Sequence, residues 1–153
     1  MNGTVDRAIT VQALLDLTAR YRAPEMLDAL EALRNWERQH GDEFARKFED
    51  ALARGDEGAV AVNRHRRTVT HYFHNVIMLY RLGVIDAQAI RTIIFPFQVE
   101  FLLDVVEPLE RTRVGYRDIR YMFDTYRQLY APQPLPSGRL QWRFWPFSQR
   151  SAD

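Results

Sequence analysis

Residues 64–85 read RHRRTVTHYFHNVIMLYRLGVI, and the phase of their apolar positions decides the fold. Wound as an α-helix, Val62, Val69, Phe73, Val76, Ile77 and Tyr80 gather on one side within an arc of about 100°. His71 and His74 fall on the opposite side, beside Arg64, Arg67, Met78 and Arg81. His65 and Arg66 flank the apolar seam. The stretch therefore predicts a long helix, roughly residues 59–82, with a core face and a basic back. Val69, Phe73, Val76 and Tyr80 are expected in the core, and His71 and His74 in solvent.

The flanking sequence is punctuated for more helices. Thr10 offers a cap for a first helix carrying Val11, Leu14, Leu15 and Tyr21. Pro24 within APE at 23–25 ends it and opens the next, because proline fits a first helical turn and not an interior. Met26, Ala29, Leu30, Leu33 and Trp36 repeat at spacings of three and four, and Gly41 suits the left-handed cap after His40. Asp42 is expected to cap a short third helix with Phe44, Phe48 and Leu52, ended by Gly55. Asp56 precedes the long basic helix and Gly83 closes it. Asp86 caps AQAIRTIIF, Pro96 and Pro108 interrupt the next helical stretch, and Tyr116, Ile119, Phe123, Tyr126 and Tyr130 form a last stripe. No segment alternates with period two between hairpin turns. The fold class is all-α: a single multi-helix bundle with kinked helices over residues 1–131. A proline-rich linker and an extended proline/aromatic C-terminal tail occupy 132–153.

Bulk composition removes several functions. The chain of 153 residues is one ordinary domain, and 46% hydrophobic with 27% charged residues is globular rather than disordered. A net charge of +1 gives no global pull toward nucleic acid or anionic lipid, so any electrostatic function is local. Without cysteine there is no disulfide, thiolate or Cys-ligated metal. The polar opening MNGTVDRAIT is no signal peptide and no apolar run reaches membrane-spanning length, which points to a cytoplasmic protein with membrane association as an option.

Local chemistry is sparse. His71 and His74, three residues apart, lack a third ligand and lie among cations, which disfavours a metal. Glu100, Asp104 and Glu107 recur on one helical face with Glu110 at its edge, but the Glu-x-x-His pairing of carboxylate-bridged metal sites is missing. The row is expected to be solvated or to pair with the arginines of residues 64–81. No nucleophile motif or glycine-rich phosphate cradle occurs, so catalytic residues, metal and cofactor are all read as none. A cationic surface of Arg64, Arg67, His71, His74 and Arg81 is the candidate anion-binding site. The segment RLQWRFWPF at 139–147 holds the candidate partner-binding residues Trp142, Arg143, Phe144, Trp145 and Phe147, the residue types that anchor interfaces.

The run RRTVTHYFHNVIMLYRLGVID resembles the centre of an uncharacterised bacterial family, a domain of unknown function. There an Arg-x-x-Val-x-x-(Tyr/Phe)-Phe helix leads into a Gly-(Val/Leu)-Ile-Asp turn, matched by Arg66, Val69, Tyr72, Phe73, Gly83, Val84, Ile85 and Asp86. YRAPEM and FPFQVEFLLDVVEPLERTR are similar too, so the resemblance covers roughly residues 10–130. It implies packing and capping roles for these residues and supplies no activity. Members often carry an N-terminal membrane helix. The polar first residues here depart from that pattern, as in a soluble member or a chain whose anchor was removed.

The leading reading is a non-enzymatic helical interaction protein, an accessory or adaptor subunit of a bacterial assembly. It would meet a protein partner or membrane interface through the aromatic basic tail, or another copy of itself; folding of the tail onto its own helices is the competing fate. The alternative is a nucleic-acid or phosphate-ligand binder using the Arg/His stripe. A small metalloenzyme ranks third.

Overall fold

The computed structural model describes residues 2–132, with side chains from Asp6 onward. Every regular element among them is helical. In order these are α1 (Asn2–Tyr21), α2 (Pro24–His40), α3 (Phe44–Ala53), α4 (Glu57–Arg81), α5 (Ala87–Ile93), α6 (Pro96–Phe101), α7 (Glu107–Arg111) and α8 (Tyr116–Tyr130). A 3₁₀ turn, Gly41–Glu43, joins α2 to α3, and a π-helical turn, Leu102–Val106, joins α6 to α7.

The punctuation works largely as the residues demand. Pro24 occupies the first turn of α2. The carboxylates of Asp56 and Asp86 accept the backbone N–H of Ala59 and Ala89, satisfying donors that the first turns of α4 and α5 leave unpaired. Gly83 closes α4 at a φ of 73°, a left-handed conformation costly for any residue with a Cβ. Two boundaries differ from the sequence reading. Helix α1 begins at Asn2, so Thr10 is no cap: its hydroxyl, inside the helix, lies within hydrogen-bond distance of the Asp6 and Val84 carbonyls. Asp42 sits in the 3₁₀ turn, and α3 starts only at Phe44, without a side-chain cap.

Helix α4 is the hub, packed against α2 along much of its length and touching α1, α3, α5 and α8. Val62, Val69, Phe73, Val76 and Ile77 are buried, and Tyr80 is half-buried at the edge. Phe73 meets the Tyr126 ring edge-on at 5.6 Å, and the buried Tyr126 hydroxyl donates to the Phe73 carbonyl at 2.9 Å. Burial raises the Tyr126 pKa well above the ordinary phenol value, keeping the donor protonated.

The π-turn has a local cause and a wide consequence. Pro108 has no N–H, and in a regular helix its ring would strike the carbonyl four residues back. The turn widens instead, and the Glu107 N–H reaches the Leu102 carbonyl, five residues back. One extra residue in a turn rotates everything downstream by about 100°. Glu100 and Asp104 therefore stay in solvent while Glu107 and Glu110 turn inward. The single acidic face expected from the spacing of 100, 104 and 107 does not form.

Candidate functional site

Arg66 lies four residues after Val62 and three before Val69, so the same periodicity that buries those valines carries its guanidinium inward. It is 6% exposed. A cation there needs compensation, since an unpaired buried charge costs far more than folding leaves to spend. Glu110 of α7, itself 2% exposed, supplies it through an ion pair with Arg66 Nη1. The Thr70 hydroxyl donates to the same carboxylate oxygen at 2.5 Å, and Asn63 Oδ1 accepts from Arg66 Nε and Nη2 at 3.0 and 2.9 Å. The Arg66 headgroup and Glu110 Oε1 are thus committed to one another and to α4.

Above this network opens a cleft of about 990 Å³. Its long wall is α4 from Arg66 to Asn75. The remaining sides come from the end of α1, the first turn of α2, the connection between α7 and α8, and Ile119 of α8. Arg20 of α1, Arg67 of α4 and Arg113 of the α7–α8 connection all line it, with His71 and His74 along the α4 wall. Among the described residues, none of these three arginines has a carboxylate within ion-pair distance. Glu25 and Glu110 are the lining acids, and Glu110 is already paired. Met26, Tyr72, Val114 and Ile119 add apolar surface.

Arg67 and Arg113 stand close enough to Arg66 for their charges to act on it. Burial pulls the Arg66 pKa below the ordinary guanidinium value; Glu110 opposes this, and the charges of Arg113 and Arg67 add to it. His74 is also pulled below the usual histidine value, first by burial and then by the charges of His71 and Arg81. Its Nε2 lies 2.5 Å from the Tyr121 hydroxyl.

The five residues of the expected anion surface therefore separate. Arg67, His71 and His74 line the cleft, but Arg64 and Arg81 do not. The Arg81 guanidinium instead stacks over the Tyr121 ring at 4.8 Å. His71 is exposed as expected; His74 is half-buried, because Tyr121 of α8 packs over it. Nor do Arg64, Arg67 and Arg81 pair with Glu100, Asp104 and Glu107. The arginine that pairs is Arg66 and its carboxylate is Glu110, while Glu107 is held by Arg127, by Arg111 at 3.4 Å and by the Tyr116 hydroxyl at 2.7 Å. The rotation at the π-turn accounts for both changes. Arg20 and Arg113, which complete the cleft, carry no periodic signal; only the tertiary fold brings them to α4. Trp142, Arg143, Phe144, Trp145 and Phe147 lie outside the described residues.

Among the described residues no three His, Asp or Glu side chains converge as a metal-binding group, and no helix is long and apolar enough to cross a membrane. Comparison with known proteins finds no matching family model, no matching curated protein and no matching solved structure.

Proposed function

We propose that this is a non-enzymatic binding protein whose cleft takes a small anion carried on an apolar body, such as a phosphorylated or carboxylated aromatic. The observation that carries the reading is the convergence of Arg20, Arg67 and Arg113 from three separate elements onto one cleft, with no carboxylate paired to them among the described residues. Gathering cations costs free energy by mutual repulsion, and an anion entering the cleft relieves it. Guanidinium groups suit phosphate and carboxylate because their paired N–H donors match both oxygens. The volume is at the upper end for small-molecule sites. Glu110 Oε1 accepts from Arg66 and Thr70, which gives it a structural role rather than that of a general base and supports binding over catalysis.

The alternative adaptor role, through Trp142, Arg143, Phe144, Trp145 and Phe147, stays a separate proposal. A pull-down with and without residues 132–153 tests it. The cleft reading is tested by thermal melting of the full chain with phenyl phosphate, with phenol as the uncharged control. Phenyl phosphate should raise the melting temperature in a saturable way, because a ligand that binds only the folded state stabilises it by mass action. Phenol should not. A shift produced only by an oligonucleotide, and collapsing steeply with salt, would replace the small-ligand reading with a nucleic-acid one.

A further inference from the structure

Between the cleft residues of α4 and those of α7, and not among the cleft lining, Phe95 and Phe97 flank Pro96 at the junction of α5 and α6. Their rings stack nearly parallel, 6.0 Å apart at 12°, yet they remain 53% and 58% exposed. Pro96 explains the arrangement. It ends α5 and starts α6, leaving Ile94 and Phe95 extended so that Phe95 cannot join the inward face of either helix. Glu100, one turn beyond Phe97, and Asp104, a turn further, are exposed too, and among the described residues neither has an ion-pair partner. The surface is an aromatic pair followed by two carboxylates.

The C-terminal end of α8 is tied to this junction. The Tyr130 hydroxyl donates to the Ile94 carbonyl at 2.5 Å, and Arg91 Nε donates to the Leu129 carbonyl at 3.2 Å. The last turn of α8 is therefore held to the residue that precedes Phe95, and Pro132 follows Tyr130 by two residues. Beyond it the sequence PQPLPSG precedes RLQWRFWPF, residues 139–147, which carries four aromatic rings, two arginines and no acid. Seven residues from Pro132 to Arg139 span up to about 22 Å when extended, ample to turn back onto a surface beside the exit point. Aromatic rings and cations on the segment complement aromatic rings and carboxylates on the surface. The arginine-lined cleft would instead repel Arg139 and Arg143.

We infer that residues 139–147 dock in the same chain on the stripe formed by Phe95, Phe97, Glu100 and Asp104. Trp142 and Trp145 meet the phenylalanine pair, and Arg139 and Arg143 meet the carboxylates. Acrylamide quenching of tryptophan fluorescence in the full chain tests this, using the wild type, F95S/F97S and E100R/D104R. All four substituted positions are exposed, and helical circular dichroism checks that each variant folds. Trp36 lies in α2 and gives the same background in all three. Docking predicts that both variants quench more strongly than the wild type and emit at longer wavelength, with F95S/F97S the larger effect and no dependence on protein concentration. Identical quenching in the three proteins overturns the inference. So does protection that grows with concentration, which would place the segment on a second copy, or protection seen only with anionic vesicles, which would place it on a membrane.

Discussion

Glu107 and Glu110 sit three residues apart in α7, both rotated inward by the same π-turn and only 1% and 2% exposed, yet their surroundings differ. Glu107 is shared among Arg127, Arg111 and Tyr116, a tie within the α7–α8 corner whose principal cation, Arg127, is 40% exposed. Glu110 is held across the molecule by Arg66 and Thr70 of α4, with the guanidinium itself buried. The first carboxylate has redundant, partly solvated support; the second has one buried partner cation and lies under the cleft. The same residue type on the same short helix thus closes a corner in one place and underlies a candidate binding site in the other.

This contrast predicts unequal costs of removing the cations. Arg66→Ala strands Glu110 without its buried counter-charge and should cost about 3–5 kcal/mol. The double variant R66M/E110L, which removes both charges at similar volume, should recover much of that loss, because a buried pair is often no better than apolar packing. Arg127→Ala leaves Glu107 with Tyr116 and Arg111 and should cost less, about 1–2 kcal/mol. Urea unfolding of the four proteins decides it. Equal losses in R66A and R127A would erase the distinction between the two carboxylates.

A smaller effect separates the cleft wall from its floor by pH. His74 has its folded-state pKa below the ordinary value of 6.5, so the unfolded chain takes up the proton more readily. Stability held above about pH 6.5 should therefore fall as the pH drops below that value and through the folded-state pKa. Replacing His74 by Gln should flatten this dependence in thermal melts between pH 7.5 and 5.5. A bound anion favours the protonated imidazole, so the ratio of wild-type to H74Q affinity should rise over the same fall in pH, whatever the titration of the ligand itself. No change in the pH profile on substitution would mean that another group titrates.

Much of the fold could be read from single residues because their physics is local. Pro24, Asp56, Gly83, Asp86 and Pro96 act within a turn of their own positions, and Val62, Val69, Phe73, Val76 and Ile77 share one phase. Pro108 also marked its interruption, but not its form. Whether a proline bends a helix, breaks it or inserts a wider turn depends on neighbouring packing, and here that choice sets the phase of Glu107 and Glu110. The site was legible in part for the same reason. Arg67, His71 and His74 lie on the back of one helix, while Arg20 and Arg113 are remote in sequence and converge only through tertiary packing. Arg66 was the neglected signal: a cation at the spacing of the buried valines calls for a buried carboxylate elsewhere in the chain.

The central claim is that anion affinity belongs to the cleft rather than to the basic stripe of α4 as a whole. Calorimetric titration of phenyl phosphate into the wild type, R67A/R113A and R64A/R81A tests it most directly, since each variant removes two positive charges and only the first pair lines the cleft. None of the four arginines is in an ion pair among the described residues, so each single substitution should change stability by no more than about 0.5 kcal/mol, or about 1 kcal/mol at Arg81, whose guanidinium stacks over Tyr121. The account predicts saturable one-to-one binding that R64A/R81A largely retains and R67A/R113A loses. Equal weakening in the two variants, or no heat of binding in the wild type, would contradict it.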